Sequence, residues 1–157
     1  MSFSTFSGPL RAGTVKEGSG RNTGLVVLTQ SYDSGDLTGT AVGNVDTAAF
    51  VLPAGSQIVD ITHDQVVAAA TGTTTVSVGT ASGGAQLSAA VVTTAGGRFR
   101  GTATAATQLA WQTSTSADTT VYIRVAVGTG TLTAGRFITT ISYVQRASSG
   151  AQNPTSA

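Results

Sequence analysis

The chain contains no cysteine, and only one histidine, one lysine and one tryptophan occur among its 157 residues. Without cysteine there is no disulfide frame, thiolate nucleophile or cysteine-based metal site. Charge is scarce too. Asp, Glu, Lys and Arg together make up 10% of the residues, against roughly 25% in an ordinary soluble domain. The net charge is +1, with the eight basic residues scattered and seven of them Arg. That excludes the dense basic stripe that phosphate neutralisation needs, so no nucleic-acid partner is expected. No apolar run reaches bilayer-spanning length, so no membrane partner is expected either. The amino end, Met1-Ser-Phe-Ser-Thr-Phe-Ser-Gly-Pro-Leu10, lacks the basic start and apolar stretch of a secretory signal, which points to synthesis in a cytoplasm.

Threonine, serine, glycine and alanine take the place of the missing charge. A neutral polar surface keeps free molecules apart poorly. It suits a part packed against partners, and equally a stable β-domain whose hydroxyl-rich strands need few charges. Arginine favours fixed bidentate contacts with carboxylates, which tilts the exposed arginines towards protein interfaces.

The clearest pattern covers residues 118–145. Val121, Ile123, Val125 and Val127 alternate with Tyr122, Arg124 and Ala126, and Phe137, Thr139, Ile141 and Tyr143 alternate with Arg136, Ile138, Thr140, Ser142 and Val144. Period-two alternation rich in β-branched and aromatic residues predicts two strands. The glycine- and threonine-rich stretch 128–135 between them predicts an antiparallel hairpin.

Upstream, residues 25–32 read as a strand whose Leu25-Val-Val-Leu28 run is buried on both faces. Residues 48–52 read as a short strand, and Pro53-Ala-Gly55 turns the chain into a strand over 57–63. There Val59 and Ile61 share one face, and a connection follows. Residues 73–78 form a strand with Val76 and Val78 inward, while 85–92 fit either a strand or a helical turn. Trp111 reads as a core or interface anchor.

About eight short strands with turn signals between them and almost no helix give an all-β fold, a β-sandwich or jelly roll of antiparallel strands. A chain of this length forms one domain and buries roughly 70% of its unfolded surface. Residues 25–146 are assigned to the sandwich and 147–157 to a loose tail. Residues 1–24 form an extended N-terminal arm, punctuated by glycine yet carrying Phe3, Phe6, Leu10 and Val15. Burying each Phe contributes roughly 1.5–3 kcal/mol, so the arm gains by lying on a surface, whether its own sandwich or another subunit.

Catalytic chemistry is not in view. His63 lies near Asp60 and Asp64, but residues 60 and 63 of a strand face opposite ways. No Gly-x-Ser-x-Gly elbow occurs, and a strand-end histidine bonded to a loop is the expected role. Asp33, Asp36 and Asp46 read as loop-capping residues rather than calcium ligands. No catalytic, metal or cofactor-binding residue is assigned, and no cofactor is expected.

Several stretches resemble head decoration (cement) proteins of tailed bacteriophages. They are Phe6-Ser-Gly-Pro-Leu-Arg-Ala-Gly-Thr-Val-Lys16, Leu52-Pro-Ala-Gly-Ser-Gln-Ile-Val-Asp60, Val76-Ser-Val-Gly-Thr80, Thr94-Ala-Gly-Gly-Arg98 and Thr133-Ala-Gly-Arg136. The resemblance implies a structural virion protein on the capsid exterior that stabilises the lattice. Its implied partners are the major capsid protein and itself, as a homotrimer or a dimer. Arm residues Phe3, Phe6, Leu10 and Arg11 would then contact a neighbouring subunit. The alternative is a tail-fibre receptor- or carbohydrate-binding module, for which Trp111, Tyr122 and Tyr143 are the stacking candidates.

Overall fold

A computed structural model describes residues 27–70, 73–100, 105–112 and 116–145. The assigned arm, with Phe3, Phe6, Leu10 and Arg11, and the assigned tail lie outside the described residues. Among the described residues, eight strands and one helix follow in chain order: β1 Val27–Asp33, β2 Gly43–Leu52, β3 Ser56–Ala70, β4 Thr74–Gly79, β5 Ser88–Val92, β6 Gly97–Arg100, α1 Ala105–Gln112, β7 Thr119–Val127 and β8 Ala134–Gln145. They form two antiparallel four-stranded sheets, ordered β1-β8-β3-β6 and β2-β7-β4-β5.

The pairs β1/β8, β2/β7, β3/β6 and β4/β5 are those of one long two-armed ribbon, folded at the β4–β5 connection and rolled up on itself. That is the jelly-roll arrangement. Among the described residues, β4 and β5 are the only consecutive strands hydrogen-bonded to each other. The hairpin expected over residues 118–145 is therefore corrected. Its two halves are strands, but β7 and β8 belong to different sheets. The connection between them carries the chain across the roughly 10 Å between sheets. Alternation marks which side chains face the core, and both sheets present the same alternation to one core.

That core lies between the sheets. Val121, Ile123, Val125 and Val127 of β7 meet Phe137, Ile141 and Tyr143 of β8, with Val76 and Val78 of β4 inward as expected. Pro53, Ala54, Gly55 and Ser56 make the turn from β2 to β3. The Ser56 amide donates to the Pro53 carbonyl over 3.1 Å, and Gly55 has φ of 78°, the positive φ that a type II turn needs at its third residue.

Three further expectations change. Val27 and Leu28 are 52% and 41% exposed because β1 is an edge strand, so that run is not buried on both faces. β3 continues to Ala70 through register shifts where a connection was expected, and a bulge at Val59 turns that valine out to 50% exposure while Ile61 stays buried. The open segment 85–92 resolves as strand β5, preceded by the buried Leu87.

Among the described residues, β6 pairs with residues 62–65 of β3. α1 packs against β3. The Trp111 indole N–H donates to the Leu87 carbonyl over 2.6 Å, linking the helix to the other sheet. Trp111 is thus the core anchor that its size predicts, half-buried against the main cluster.

Candidate functional site

The two outer faces of the sandwich differ. On the β1-β8-β3-β6 sheet, register places Ser31, Thr140, Thr62 and Arg100 in one row and Asp33, Ile138, Asp64 and Arg98 in the next. Thr29, Ser142 and Asp60 form a third row. Every described charge on this face is answered by another. Arg98 grips Asp64 through two bonds of 2.5 and 3.1 Å, Arg136 grips Asp33 at 3.1 and 2.5 Å, and Arg100 lies 3.3 Å from Asp60. Hydrogen bonding from Arg136 holds the Asp33 carboxyl down at about 2. The Ser31 and Thr140 hydroxyls meet at 2.9 Å. The result is a flat, hydroxyl-rich and electrically balanced surface. The bidentate geometry expected of the arginines is present, and it is spent within the chain.

The opposite sheet carries a cover of its own. Residues 80–87, between β4 and β5, fold back over it: Ser82 donates to Asp46 over 2.9 Å, and Gly83 lies against the Arg124 guanidinium. Arg124 in turn grips Asp46 at 2.7 and 2.8 Å, and this hydrogen bonding holds the Asp46 carboxyl at about 2. Two glycines permit the close approach. A Cβ on Gly79 would fall 2.5 Å from the Gly84 carbonyl carbon, and one on Gly83 would strike Arg124.

The remaining aspartates have structural roles. Asp36 accepts from the Thr38 amide and hydroxyl, and Asp118 accepts from the Ala54 amide. Among the described residues, no three metal-ligating side chains gather.

His63 is not at a strand end, which corrects the expectation. It lies mid-strand on the inner face of β3 and is 1% exposed. Its Nδ1 is 2.8 Å from Thr139 Oγ1 on β8, and its Nε2 is 3.4 Å from Ser88 Oγ in the other sheet. The Ser88 hydroxyl donates to the Ala89 carbonyl, so it accepts from Nε2–H and leaves Nδ1 to accept from Thr139. Burial lowers the imidazole pKa to about 4, opposed weakly by Asp64. Asp60 and Asp64 occupy the outer face, bound to arginines. A nucleophile–base–acid relay needs an accessible serine, a base free to take its proton and a carboxylate behind the base. This cluster has a sealed serine and a threonine in the acid's place.

Nor do the stacking candidates converge. Tyr143 is buried with its hydroxyl accepting from Gln30, Tyr122 lies on the outer face of the covered sheet, and Trp111 is held by Leu87. The cleft at Trp111, lined also by Leu52, Ser56, Ile58 and Leu87, measures about 40 Å³, against roughly 300–1,000 Å³ for small-molecule pockets.

No family model matches the chain, and no curated protein matches it either. Solved structures do. A chain from the capsid of Ralstonia phage GP4 is 24% identical with a TM-score of 0.57, the match covering 88% of this chain and 93% of that one. A chain from the capsid asymmetric unit of cyanophage Pam1 is also 24% identical with a TM-score of 0.52, over 90% of this chain and 98% of that one. The shared property at this identity is the fold.

Proposed function

We propose that the protein is a structural component of a phage virion: a decoration protein that binds the outside of the capsid lattice and stabilises it. The observation that carries this reading is the match of the whole sandwich to chains of two phage capsids. The surface agrees with it. A face whose charges are already neutralised in pairs can be covered by a partner without stranding an ion, and burying an unpaired ion costs several kcal/mol. The outer face of the β1-β8-β3-β6 sheet, rather than the loop-covered one, rests on the shell. Major capsid protein and further copies of this chain are the partners, with Phe3, Phe6, Leu10 and Arg11 reaching a neighbouring subunit. Repeated copies on a lattice supply avidity, so each contact can be modest. The role is not enzymatic, in keeping with the sealed His63 and the paired carboxylates.

Adding purified protein to expanded heads that lack it, followed by imaging, tests the proposal. Density for the sandwich at regular lattice positions outside the shell, with heads that withstand more heat before releasing DNA, is the expected result. Bare heads at saturating protein, or density confined to the tail, would end it.

A further inference from the structure

The four sheet edges of the sandwich are unequally protected. On one side β5 and β6 are only five and four residues long, and β6 carries Arg98 and Arg100. On the other side lie β1 and β2, seven and ten residues long, without Lys, Arg or Pro. Long strand edges offer unpaired backbone groups to other chains unless charge, proline, bulges or short length blunt them. β2 has the bulge at Ala49, and its one charge, Asp46, is neutralised by Arg124 of β7. Beyond it, the Val51 carbonyl accepts from the Gln30 side chain over 2.8 Å, closing that end. Among the described residues, no strand pairs with the outer edge of residues 43–48. Val45 shares the inward face with Val125 yet is 48% exposed, and the adjoining Val42 is 57% exposed.

We propose that this open edge, residues 43–48 of β2, receives residues 1–24 of a neighbouring copy as an added strand. The inference rests on the lattice reading, which supplies the neighbouring copies.

Charge favours this occupant. Residues 1–26 hold Arg11, Lys16, Arg21 and Glu17, a net +2, while residues 27–145 hold six Asp and four Arg, a net −2. Among the described residues, Asp36 and Asp118 are the two aspartates without an arginine partner. They bracket β2, one in the loop that leads into it and one at the turn that leaves it. The phenylalanines supply apolar surface for Val42 and Val45, and added strands gain affinity from main-chain hydrogen bonds and specificity from alternate side chains.

Geometry favours a neighbour's segment over the chain's own. Val27 lies opposite Val144, which lies opposite Gln57, beside the turn that ends β2. A chain continuing straight back past Val27 therefore runs off that end of the sandwich, and reaching its own β2 would need a full reversal. Twenty-four residues span at most about 80 Å when extended, roughly twice the length of β8.

The test places a photo-reactive phenylalanine analogue at position 45, and separately at position 44, in a mixture of isotopically heavy and light full-length copies. Crosslinked peptides are mapped by mass spectrometry, in concentrated protein and on decorated heads. Heavy–light crosslinks to residues 1–24 are expected, with their loss in a chain lacking those residues. Crosslinks within single copies, crosslinks between two β2 strands, or none in either setting would overturn the proposal. Imaging the same heads scores the virion reading separately: decorated heads without the crosslink sink only the strand addition.

Discussion

His63 Nδ1 lies 2.8 Å from the Thr139 hydroxyl, and the two residues are register partners across β3 and β8. With Ser88 reaching the other ring nitrogen from the facing sheet, the histidine ties the two halves of the jelly roll together through the core. Such a tie holds only while the ring is neutral. An imidazolium there would lose the Thr139 donor and would be a buried ion without a carboxylate partner.

A pH dependence follows. The folded imidazole titrates near 4 and the unfolded one near 6.5, so on acidification the unfolded state takes up the proton first. Stability is full above pH 6.5, falls between about 6.5 and 4, and then levels off, for a total loss of about 3 kcal/mol. Urea midpoints measured across that window should show the decline in the native chain and a flatter profile in His63→Gln. Asp33 and Asp46, held near 2, contribute a separate loss only as pH falls below about 4, in both proteins.

Gly83 and Gly39 make a matched pair. Both have positive φ, 81° and 87°, but a Cβ at 39 meets nothing within 4 Å while one at 83 meets the Arg124 guanidinium. Gly39→Ala should cost about 1 kcal/mol from backbone strain alone. Gly83→Ala should cost more, since either the loop lifts or the Arg124–Asp46 pair is displaced. Thermal unfolding of both variants measures the difference, and equal losses would show that the loop does not press on the pair.

Much of this fold is legible from side-chain alternation. Val121 to Val127 and Phe137 to Tyr143 point inward as the period demands, because one face of each strand is dry. What alternation cannot encode is the neighbour, so the β7–β8 hairpin was the natural reading and the wrong one. Val59 escaped for a related reason: a bulge inserts one residue and shifts the phase, and no residue type marks it. Leu28 looked doubly buried because an apolar run does not reveal that its strand ends a sheet. At the candidate site, the scarcity of charge was plain. The pairing of Asp64 with Arg98 and of Asp33 with Arg136 was not, since it depends on which strands the topology brings side by side.

Trp111 lines the small cleft that it shares with Ser56 and Ile58 of β3 and with Leu87. Trp111→Phe removes the hydrogen bond to the Leu87 carbonyl and should cost about 1 kcal/mol. Trp111→Ala also removes the ring that packs against the core cluster and should cost about 3 kcal/mol or more. Denaturation followed by far-ultraviolet circular dichroism measures both, and a neutral Trp111→Ala would remove the helix from the list of structural elements that matter.

The proposed shell contact is tested at Thr140, at the centre of the hydroxyl-rich sheet face between Ser31 and Thr62. Replacing it with Arg or with Glu adds a charge for which no described residue of this face is a free partner, because Asp64, Asp60 and Asp33 are already engaged with Arg98, Arg100 and Arg136. In free protein that charge stays in water and alters stability by about 0.5 kcal/mol or less. Under a partner it must be desolvated, and an uncompensated ion at an interface costs about 2–5 kcal/mol. Both Thr140→Arg and Thr140→Glu should therefore weaken attachment to heads by at least tenfold, the sign of the charge mattering little. The control is Thr120→Arg, an exposed position on the outer face of the other sheet, which should bind like the native chain. Head-binding isotherms that reversed this order, with Thr120→Arg impaired and both Thr140 variants intact, would move the shell contact to the β2-β7-β4-β5 face.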